Sequence, residues 1–389
     1  MPTKTMLRAT ELVAETEQAP GITPAGLDVA GVFGWRDLVA ERDDSSQVEW
    51  LAARGCELVR GDAHVARQGV VEVDGHELDY DCLVVATGSA PAIPPIPGID
   101  GVDYWTNEEA TETLEAPASL LVLGGGPVGC ELAQFFARVG SRVTLVEGDD
   151  RLLQRIDSEA SALVEDALRA DGIDVRVGVK VVAFEGGTAL LVDGTRLPFE
   201  KLLVATGRRP RTEGLEPLGL GKAESGGIEV DERMRATVGV WAIGDATGIA
   251  LFTHVGKYQA RVAAYDIAGR PARADYRAVP ATVFTDPQVA TVGSDAGGQS
   301  ASWQLTGTSR LSTYQRPKQD GFVKVFADPE RRVLTGAVAV GPEAGEWLQQ
   351  LTLAIRAETP VDVLLDVIPP YPTFSEAVFY AVRELNLDL

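Results

Sequence analysis

The chain has 389 residues, of which 45% are hydrophobic and 24% charged, and its 35 basic and 57 acidic residues give a formal net charge of −22. This composition is that of a globular protein of two to four domains. So acidic a surface repels phosphate backbones and anionic lipids, which argues against nucleic acid and membrane surfaces as partners. Three dispersed cysteines, Cys56, Cys82 and Cys130, rule out a disulfide scaffold and a cysteine-based zinc cluster.

Neither a membrane span nor a secretory leader is expected. No run of about 18 apolar residues occurs, and the opening residues MPTKTMLRATELVAE contain two glutamates and no apolar stretch. We therefore expect a cytoplasmic chain. With only three histidines besides the cysteines, we expect no metal site. Because free cysteines are among the most buried residue types, all three thiols are expected to be buried and unreactive.

The N-terminal part is predicted to form helices followed by short strands. Apolar residues recur at helical spacing in residues 4–18, and a second helical segment covers about residues 27–54. Short strands with glycine and aspartate turns follow, ending on the apolar strand 82–86. The proline-rich run 91–98 then predicts the edge of a domain.

The middle of the chain predicts a βαβ unit and hence a parallel sheet. Strand 119–123, a glycine turn, a helix centred on residues 134–139 and strand 142–147 follow one another. An amphipathic helix over residues 157–170 and further short strands lead to the apolar strand 202–205.

The last third, from about residue 278, combines strands with two helices. These helices are predicted over residues 343–356 and 375–385. A mixture in this order is typical of a separate α+β domain.

The strongest motif is the glycine turn between the two strands of the βαβ unit. Gly124, Gly126 and Gly129 form a GxGxxG pattern. The first glycine permits a tight turn, the second lets the backbone approach a pyrophosphate, and the third lets helix and strand pack closely. The pyrophosphate then lies at a helix N-terminus, so the pattern predicts dinucleotide binding.

An acidic residue ends the second strand of this unit. Glu147 lies 18 residues after Gly129, where a carboxylate binds the ribose hydroxyls of NAD and repels the 2′-phosphate of NADP. This position favours NAD. Arg151 and Arg155 lie nearby and keep NADP open as the less favoured alternative.

Two segments repeat one another. Residues 82–91 and 202–210 are both apolar strands that end in Ala-Thr-Gly, which suggests two related dinucleotide domains, or alternatively a coincidence of strand and turn chemistry. A third segment, residues 240–248, places Asp245 at a strand end. Its carboxylate could accept hydrogen bonds from a ribose or polyol, or it could cap the next helix.

Six motifs in order resemble the pyridine nucleotide–disulfide oxidoreductase family of flavoproteins, which includes dihydrolipoamide dehydrogenase and mercuric reductase. The motifs are PTKTMLRA (2–9), ATGS (86–89), GGGPVGCE (124–131), ATGR (205–208), AIGDA (242–246) and PTFSEA (372–377). The resemblance covers nearly the whole chain.

The resemblance implies an α/β fold with two Rossmann-like dinucleotide-binding domains and a C-terminal α+β dimerisation domain. The FAD-binding domain would be discontinuous and incomplete, comprising residues 1–117 and 240–277. The NAD-binding domain would cover residues 118–239, and the dimerisation domain residues 278–389. The function implied is hydride transfer from NADH to flavin and then to a small-molecule electron acceptor, in a homodimer.

The same resemblance implies a set of site residues. Residues implied near FAD are Lys4, Thr87, Gly88, Ser89, Asp245, Thr253 and His254. Residues implied to hold the nicotinamide dinucleotide are Gly124, Gly125, Gly126, Pro127, Val128, Gly129, Glu147 and Gly207. Residues implied in catalysis are Lys4, paired with Glu131, together with Tyr371 and Glu376, which the dimer would lend to the partner's active site.

The sequence departs from the family at two places. Tyr371 and Pro369 stand where the dithiol reductases have two histidines. A tyrosine hydroxyl titrates near 10 and is a poorer base at neutral pH than histidine, which disfavours dihydrolipoamide as the substrate. Mercuric reductases share the missing histidine but end in a cysteine pair, whereas this chain ends NLNLDL, which disfavours mercury.

The other departure is at the beginning of the chain. In the family, Cys-x4-Cys and one apolar residue precede Pro-Ser/Thr-Lys, and Met1 occupies that apolar position. The printed chain therefore contains neither the redox disulfide nor the first FAD-binding βαβ unit. Either the natural start lies upstream and the complete protein carries both, or the chain is a truncated, redox-inactive paralogue that binds NAD and dimerises.

Overall fold

The computed structural model describes residues 2–19, 21–23, 26–40, 43–296, 298–314 and 321–387. The chain divides into two compact units. The first unit comprises Met1–Ala40, Ile93–Thr206 and Arg277–Leu389, and the second comprises Glu41–Ala92 and Gly207–Tyr276. In the part of the chain described, no helix is both long and apolar enough to cross a membrane.

Helices occur in both units. In chain order they are α1 (Pro2–Gln18), α2 (Val29–Ala40), α3 (Ser45–Ala52), α4 (Asn107–Glu112), α5 (Pro127–Arg138), α6 (Ser158–Ala170), α7 (Thr253–Ile267), α8 (Ala344–Trp347), α9 (Gln349–Ala357), α10 (Val361–Asp366) and α11 (Ser375–Arg383).

The strands are short. In chain order they are β1 (Ala63–Arg67), β2 (Val70–Val73), β3 (His76–Asp79), β4 (Leu83–Val85), β5 (Ser89–Pro91), β6 (Tyr104–Trp105), β7 (Ser119–Leu123), β8 (Arg142–Val146), β9 (Asp174–Arg176), β10 (Val181–Phe184), β11 (Thr188–Leu191), β12 (Arg196–Pro198), β13 (Lys201–Val204), β14 (Arg208–Pro210), β15 (Arg235–Thr237), β16 (Val240–Ala242), β17 (Pro280–Val283), β18 (Gln288–Gly293), β19 (Gln299–Gln304), β20 (Phe322–Asp328) and β21 (Val333–Gly341).

A five-stranded parallel sheet organises the middle of the first unit, in the order β6-β13-β7-β8-β9. All five residues of β7 are buried, as a central strand covered on both faces requires. Helix α5 covers one face with Phe135 and Phe136, both fully buried. Helix α1 packs in the same core through Met6, and α2 contributes Phe33, whose ring lies 6.0 Å from that of Phe135.

The C-terminal part of the first unit is an antiparallel sheet in the order β17-β18-β21-β20-β19. Strand β21 is buried along almost its whole length, and α8, α9 and α11 share an apolar core with this sheet. The mixture of strands and helices predicted for the last third is therefore present, and it lies within the first unit.

The second unit holds three small sheets, β1-β2-β3, β14-β5 and β15-β16-β4. Strands β16 and β4 are parallel and contribute Val240, Ala242 and Val85 to one core. Helix α7 packs on β16 through Val262 and Ala263.

The βαβ unit predicted in the middle of the chain is confirmed by β7, α5 and β8. The helix predicted over residues 27–54 is wrong as one segment, since α2 and α3 are separate. Polar residues interrupt it: Asp43 accepts a hydrogen bond from the Ser45 backbone N–H, a local turn that competes with helix. The helix predicted over residues 343–356 is likewise divided at Leu348 into α8 and α9.

Candidate functional site

The turn between β7 and α5 needs glycine at two positions and leaves a third open. Gly124 has a φ of +110°, and a Cβ there would lie 2.5 Å from the carbonyl oxygen of Ala205. A Cβ on Gly129 would lie 1.9 Å from the carbonyl oxygen of Gly124. Gly126, which precedes Pro127 at the first position of α5, has nothing within 4 Å of its Cβ position. The helix N-terminus is thus presented on an open surface suited to an anionic group.

The carboxylate of Glu147 lies against this turn. Its Oε2 accepts the backbone N–H of Gly125 at 2.6 Å, and its Oε1 accepts that of Asp149 at 2.8 Å. Gly125 is itself closely packed, because a Cβ there would lie 2.5 Å from Leu152 Cδ2. An acidic group is therefore held at the end of β8, next to the glycine turn.

The Arg151 guanidinium donates hydrogen bonds to backbone carbonyl groups. Its Nη1 donates to the carbonyl of Ile156 at 2.8 Å and its Nη2 to that of Gln154 at 2.7 Å. These bonds fix the loop that follows Glu147. A guanidinium held in this way is less available to a 2′-phosphate, which supports NAD over NADP.

An ion pair lies farther along α5. Lys4 Nζ of α1 donates to Glu131 Oε2 at 2.5 Å, and the Glu131 side chain is 5% exposed. The other carboxylate oxygen accepts the Phe284 backbone N–H at 2.9 Å. The Phe284 ring lies below the ammonium, 4.6 Å from Nζ to the ring centroid. The pairing of Lys4 with Glu131 implied by the resemblance is therefore present.

In the second unit, a series of side-chain hydrogen bonds connects β5 to the turn that follows β16. The Ser89 hydroxyl donates to Asp245 Oδ2 at 2.6 Å, and Arg208 Nε donates to the Ser89 hydroxyl oxygen at 2.8 Å. Thr87 donates to the carbonyl of Arg211 at 2.6 Å, and Gly88 between them has a φ of +73°. These contacts fix the first Ala-Thr-Gly turn and hold the Asp245 carboxylate in place.

Helix α7 begins beside Asp245. Its first two residues are Thr253 and His254, and the His254 ring stacks on Phe252 at 5.2 Å with 12° between the planes. A Cβ on Gly256 would lie 3.3 Å from the Cα of Gly244, so the helix approaches the turn that carries Asp245 closely. Gly207, the glycine of the second Ala-Thr-Gly turn, has a φ of +117° and open space at its Cβ position.

The C-terminal candidates differ in environment. Tyr371 is 73% exposed, and its hydroxyl donates to the Ser309 hydroxyl oxygen at 3.2 Å. Glu376, in the first turn of α11, is 7% exposed and accepts the Thr373 backbone N–H at 3.3 Å.

The expectation that all three thiols are buried is wrong for two of them. Cys56 and Cys82 are exposed, because Cys56 lies in the loop after α3 and Cys82 precedes the edge strand β4. Cys130 is buried on α5, and burial raises the pKa of its thiol far above the usual range. Among the described residues, no group of His, Cys, Asp and Glu side chains is arranged to hold a metal ion.

Sequence reasoning did not identify three residues of the first unit that bear on the ion pair. They are Phe284, which contacts both members of the pair, and Gln134 and Arg138 of α5. Gln134 and Arg138 follow Glu131 by one and two helical turns. A polar side chain at each turn of an otherwise apolar helix was the available signal. Phe284 is 153 residues from Glu131, and no pattern in the sequence indicated that the two residues meet.

The parallel sheet and the close-packed glycine turn between β7 and α5 have the form of a dinucleotide-binding fold. Residues 1–268 match the family described as pyridine nucleotide-disulphide oxidoreductase, and residues 279–382 match its dimerisation domain. The chain belongs to this family. Members of the family are FAD-dependent oxidoreductases that use FAD and NAD(H).

Individual relatives support the same family assignment. The chain is 36% identical to a dihydrolipoyl dehydrogenase of Thermus scotoductus, over 99% of this chain and 88% of that protein. It is 29% identical to a mercuric reductase of Staphylococcus aureus, over 100% of this chain and 75% of that protein.

Solved structures show the same fold. LpdA from Mycobacterium tuberculosis matches with a TM-score of 0.87 and 25% identity, over 99% of this chain and 89% of that one. The HOCl-induced flavoprotein disulfide reductase RclA from Escherichia coli matches with a TM-score of 0.85 and 25% identity, over 98% and 89% of the two chains.

Proposed function

We propose that the chain works as a homodimer that takes hydride from NADH through FAD and passes the electrons to a small-molecule acceptor. The observation that carries this proposal is the Lys4–Glu131 ion pair. Glu131 lies five residues after Gly126, about 7 Å along α5 from the glycine turn. The turn thus offers a nucleotide site at one end of α5, and farther along the helix Glu131 holds the Lys4 ammonium of α1 in a fixed place.

The residues of the turn fit a nicotinamide dinucleotide. The open surface at Gly126 admits a pyrophosphate, which the α5 N-terminus at Pro127 and Val128 would stabilise. Glu147 would accept the ribose hydroxyls, and its charge would repel a 2′-phosphate. NAD is therefore the proposed nucleotide.

The residues of the second unit fit a flavin nucleotide. Asp245, half-buried and held by Ser89, is placed to accept hydroxyl hydrogen bonds, and Thr253 and His254 begin the helix beside it. Thr87, Gly88 and Ser89 would line FAD. When bound, the flavin supplies a centre that accepts a hydride and then releases electrons.

Lys4 would act electrostatically. Its ammonium presents positive charge that stabilises negative charge developing at a reduced group nearby. Glu131 and Phe284 hold the ammonium in place from two sides. The Lys4 side chain is 34% exposed, so it is not sealed within the core.

Tyr371 bears on the choice of acceptor. We propose that Tyr371 and Glu376 are lent to the partner's active site, where the tyrosine cannot serve as a histidine-like base at neutral pH. An acceptor that needs no thiol deprotonation, such as a quinone or a dye, is therefore preferred over dihydrolipoamide. Turnover with a quinone and with dihydrolipoamide, in the native chain and in Tyr371→His, tests this preference.

We propose an FAD-binding domain of residues 1–117 and 240–277, an NAD-binding domain of residues 118–239 and a dimerisation domain of residues 278–389, acting in the cytoplasm. Limited proteolysis followed by mass measurement would test these boundaries.

The decisive experiment is anaerobic titration of the FAD-reconstituted chain with NADH, followed through the oxidised flavin absorption band. Bleaching in the native chain, slowed in Lys4→Met, is expected. A chain that binds NADH but takes up no flavin would contradict the proposal and support the alternative, a redox-inactive paralogue that binds NAD and dimerises.

A further inference from the structure

One face of α5 holds a single segment of the C-terminal sheet, residues 284–286 between β17 and β18. Glu131, Gln134 and Arg138 lie three and four residues apart, so they share this face. Each of the three bonds to the segment. Gln134 is fully buried and Glu131 is 4% exposed, so these contacts are made largely out of water.

Gln134 binds both backbone groups of Asp286. Its Oε1 accepts the Asp286 N–H at 2.7 Å, and its Nε2 donates to the Asp286 carbonyl at 2.9 Å. This two-bond contact fixes the segment in register with the helix, as a neighbouring strand would. The Nε2 also donates to Asp171 Oδ2 at 2.8 Å, so displacement of the segment would chiefly leave the buried Oε1 without its donor.

Arg138 holds the side chain of the same residue. Its Nη2 donates to Asp286 Oδ2 at 3.0 Å, and its Nε donates to Asp171 Oδ2 at 3.0 Å. The two aspartates oppose its positive charge and keep the guanidinium in one orientation. The Asp286 backbone and side chain are therefore both anchored to α5.

Phe284 transmits this anchoring to the ion pair. It lies two residues before Asp286, its N–H binds Glu131, and its ring supports the Lys4 ammonium. A displacement of the segment would move a hydrogen-bond donor of Glu131 and the aromatic face below Lys4 together.

We propose that Gln134 and Arg138 are positioning residues for the Lys4–Glu131 pair. They hold residues 284–286 against α5, and the segment in turn sets the place and charge environment of the Lys4 ammonium. This inference deepens the proposed function and rests on it where flavin chemistry is concerned. The positioning of the Lys4–Glu131 pair itself requires no bound flavin.

The test measures acylation of Lys4 by an amine-reactive reagent across a range of pH in the full chain without FAD, read by peptide mass spectrometry against the other lysines. Arg138→Met should raise the relative rate at Lys4 about threefold, because the ion pair is loosened. Gln134→Met should act in the same direction. Arg138→Lys keeps a cation beside Asp286 and should restore most of the native profile.

Ser141→Ala is the matched control. It removes another buried bond near the C-terminal end of α5, from the Ser141 hydroxyl to the Pro117 carbonyl at 2.6 Å, without touching residues 284–286. It should leave the Lys4 profile unchanged. If Gln134→Met does not fold, Phe284→Leu replaces it, since this change removes the ring and leaves the anchoring bonds.

An unchanged Lys4 profile in folded Arg138→Met, or an equal change in Ser141→Ala, would overturn the positioning role even if NADH reduces the flavin normally. A changed profile in a chain whose flavin NADH does not reduce would uphold the positioning role while refuting the proposed function. The flavin midpoint potential of the reconstituted Arg138→Met chain provides a second readout, expected to fall as positive charge becomes less well placed.

Discussion

Alanine at Gly129 and at Gly126 separates the two roles of the glycine turn. A Cβ on Gly129 would lie 1.9 Å from the Gly124 carbonyl oxygen, whereas ordinary contacts begin at 3.4 Å. Helix α5 and the turn must then separate by about 1.5 Å, and over-packing of this kind costs about 1–3 kcal/mol. Gly129→Ala should therefore lower the free energy of unfolding by that amount and also weaken NADH binding.

Gly126→Ala should leave the fold intact. Gly126 has a φ of −75°, which alanine adopts freely, and nothing lies within 4 Å of its Cβ position. The free energy of unfolding should change by less than about 1 kcal/mol. The new methyl group would occupy the surface that a pyrophosphate approaches, so the Kd for NADH should rise about tenfold or more, equivalent to about 1.4 kcal/mol.

The assays are denaturant unfolding followed by circular dichroism and NADH titration followed by nucleotide fluorescence, neither of which needs bound flavin. Native NADH affinity in Gly126→Ala would refute the assignment of this turn as a pyrophosphate site. Native stability in Gly129→Ala would refute the close approach of α5 to the turn.

Three further predictions concern individual side chains. Glu147→Ala should raise the Kd for NADH about tenfold and that for NADPH much less, and equal losses for both nucleotides would contradict the choice of NAD. Iodoacetamide should modify the exposed Cys56 and Cys82 in the folded chain and reach the buried Cys130 only after denaturation; three labels in the folded chain would show that Cys130 is not protected. Burial raises the pKa of the Glu11 carboxyl group, so the folded chain binds the Glu11 proton more tightly than the unfolded chain does. The stability that this proton contributes is present below the unfolded pKa and is lost as pH rises through the folded pKa. Glu11→Gln should therefore gain stability relative to the native chain as pH rises from the unfolded pKa of Glu11 through its raised folded pKa, and a difference that stays constant over this rise would refute the raised pKa.

Local patterns predicted the nucleotide-binding unit well. The run SLLVL (119–123) predicted β7, whose five residues are all buried in the structure. The glycines mark the turn, and helical periodicity marks α5. These signals are read within about thirty residues, and each has a local cause in burial, φ or close packing. The roles of Gly124 and Gly129 in the turn followed from the same reasoning, and the backbone geometry agrees with it.

Breaks within helices were harder to predict. Apolar residues at helical spacing lie on both sides of residues 41–46, but this stretch (ERDDSS) has no apolar side chain, and its serines and aspartates favour turns and caps, so α2 and α3 are separate. The exposure of Cys56 and Cys82 was also missed, because the burial of a cysteine depends on what packs over it and not on its neighbours in sequence.

The strand–turn–helix unit, the C-terminal α+β region and the order of motifs that places the chain in its family could all be read from the sequence, because these depend on local periodicity and short spacings. The surroundings of the ion pair, in contrast, depend on how distant parts of the chain pack together. Lys4 and Glu131 are 127 residues apart, and their pairing was suggested by resemblance alone. Phe284 and the α5 contacts that hold it arise where three distant segments pack together, and no local pattern encodes such a meeting.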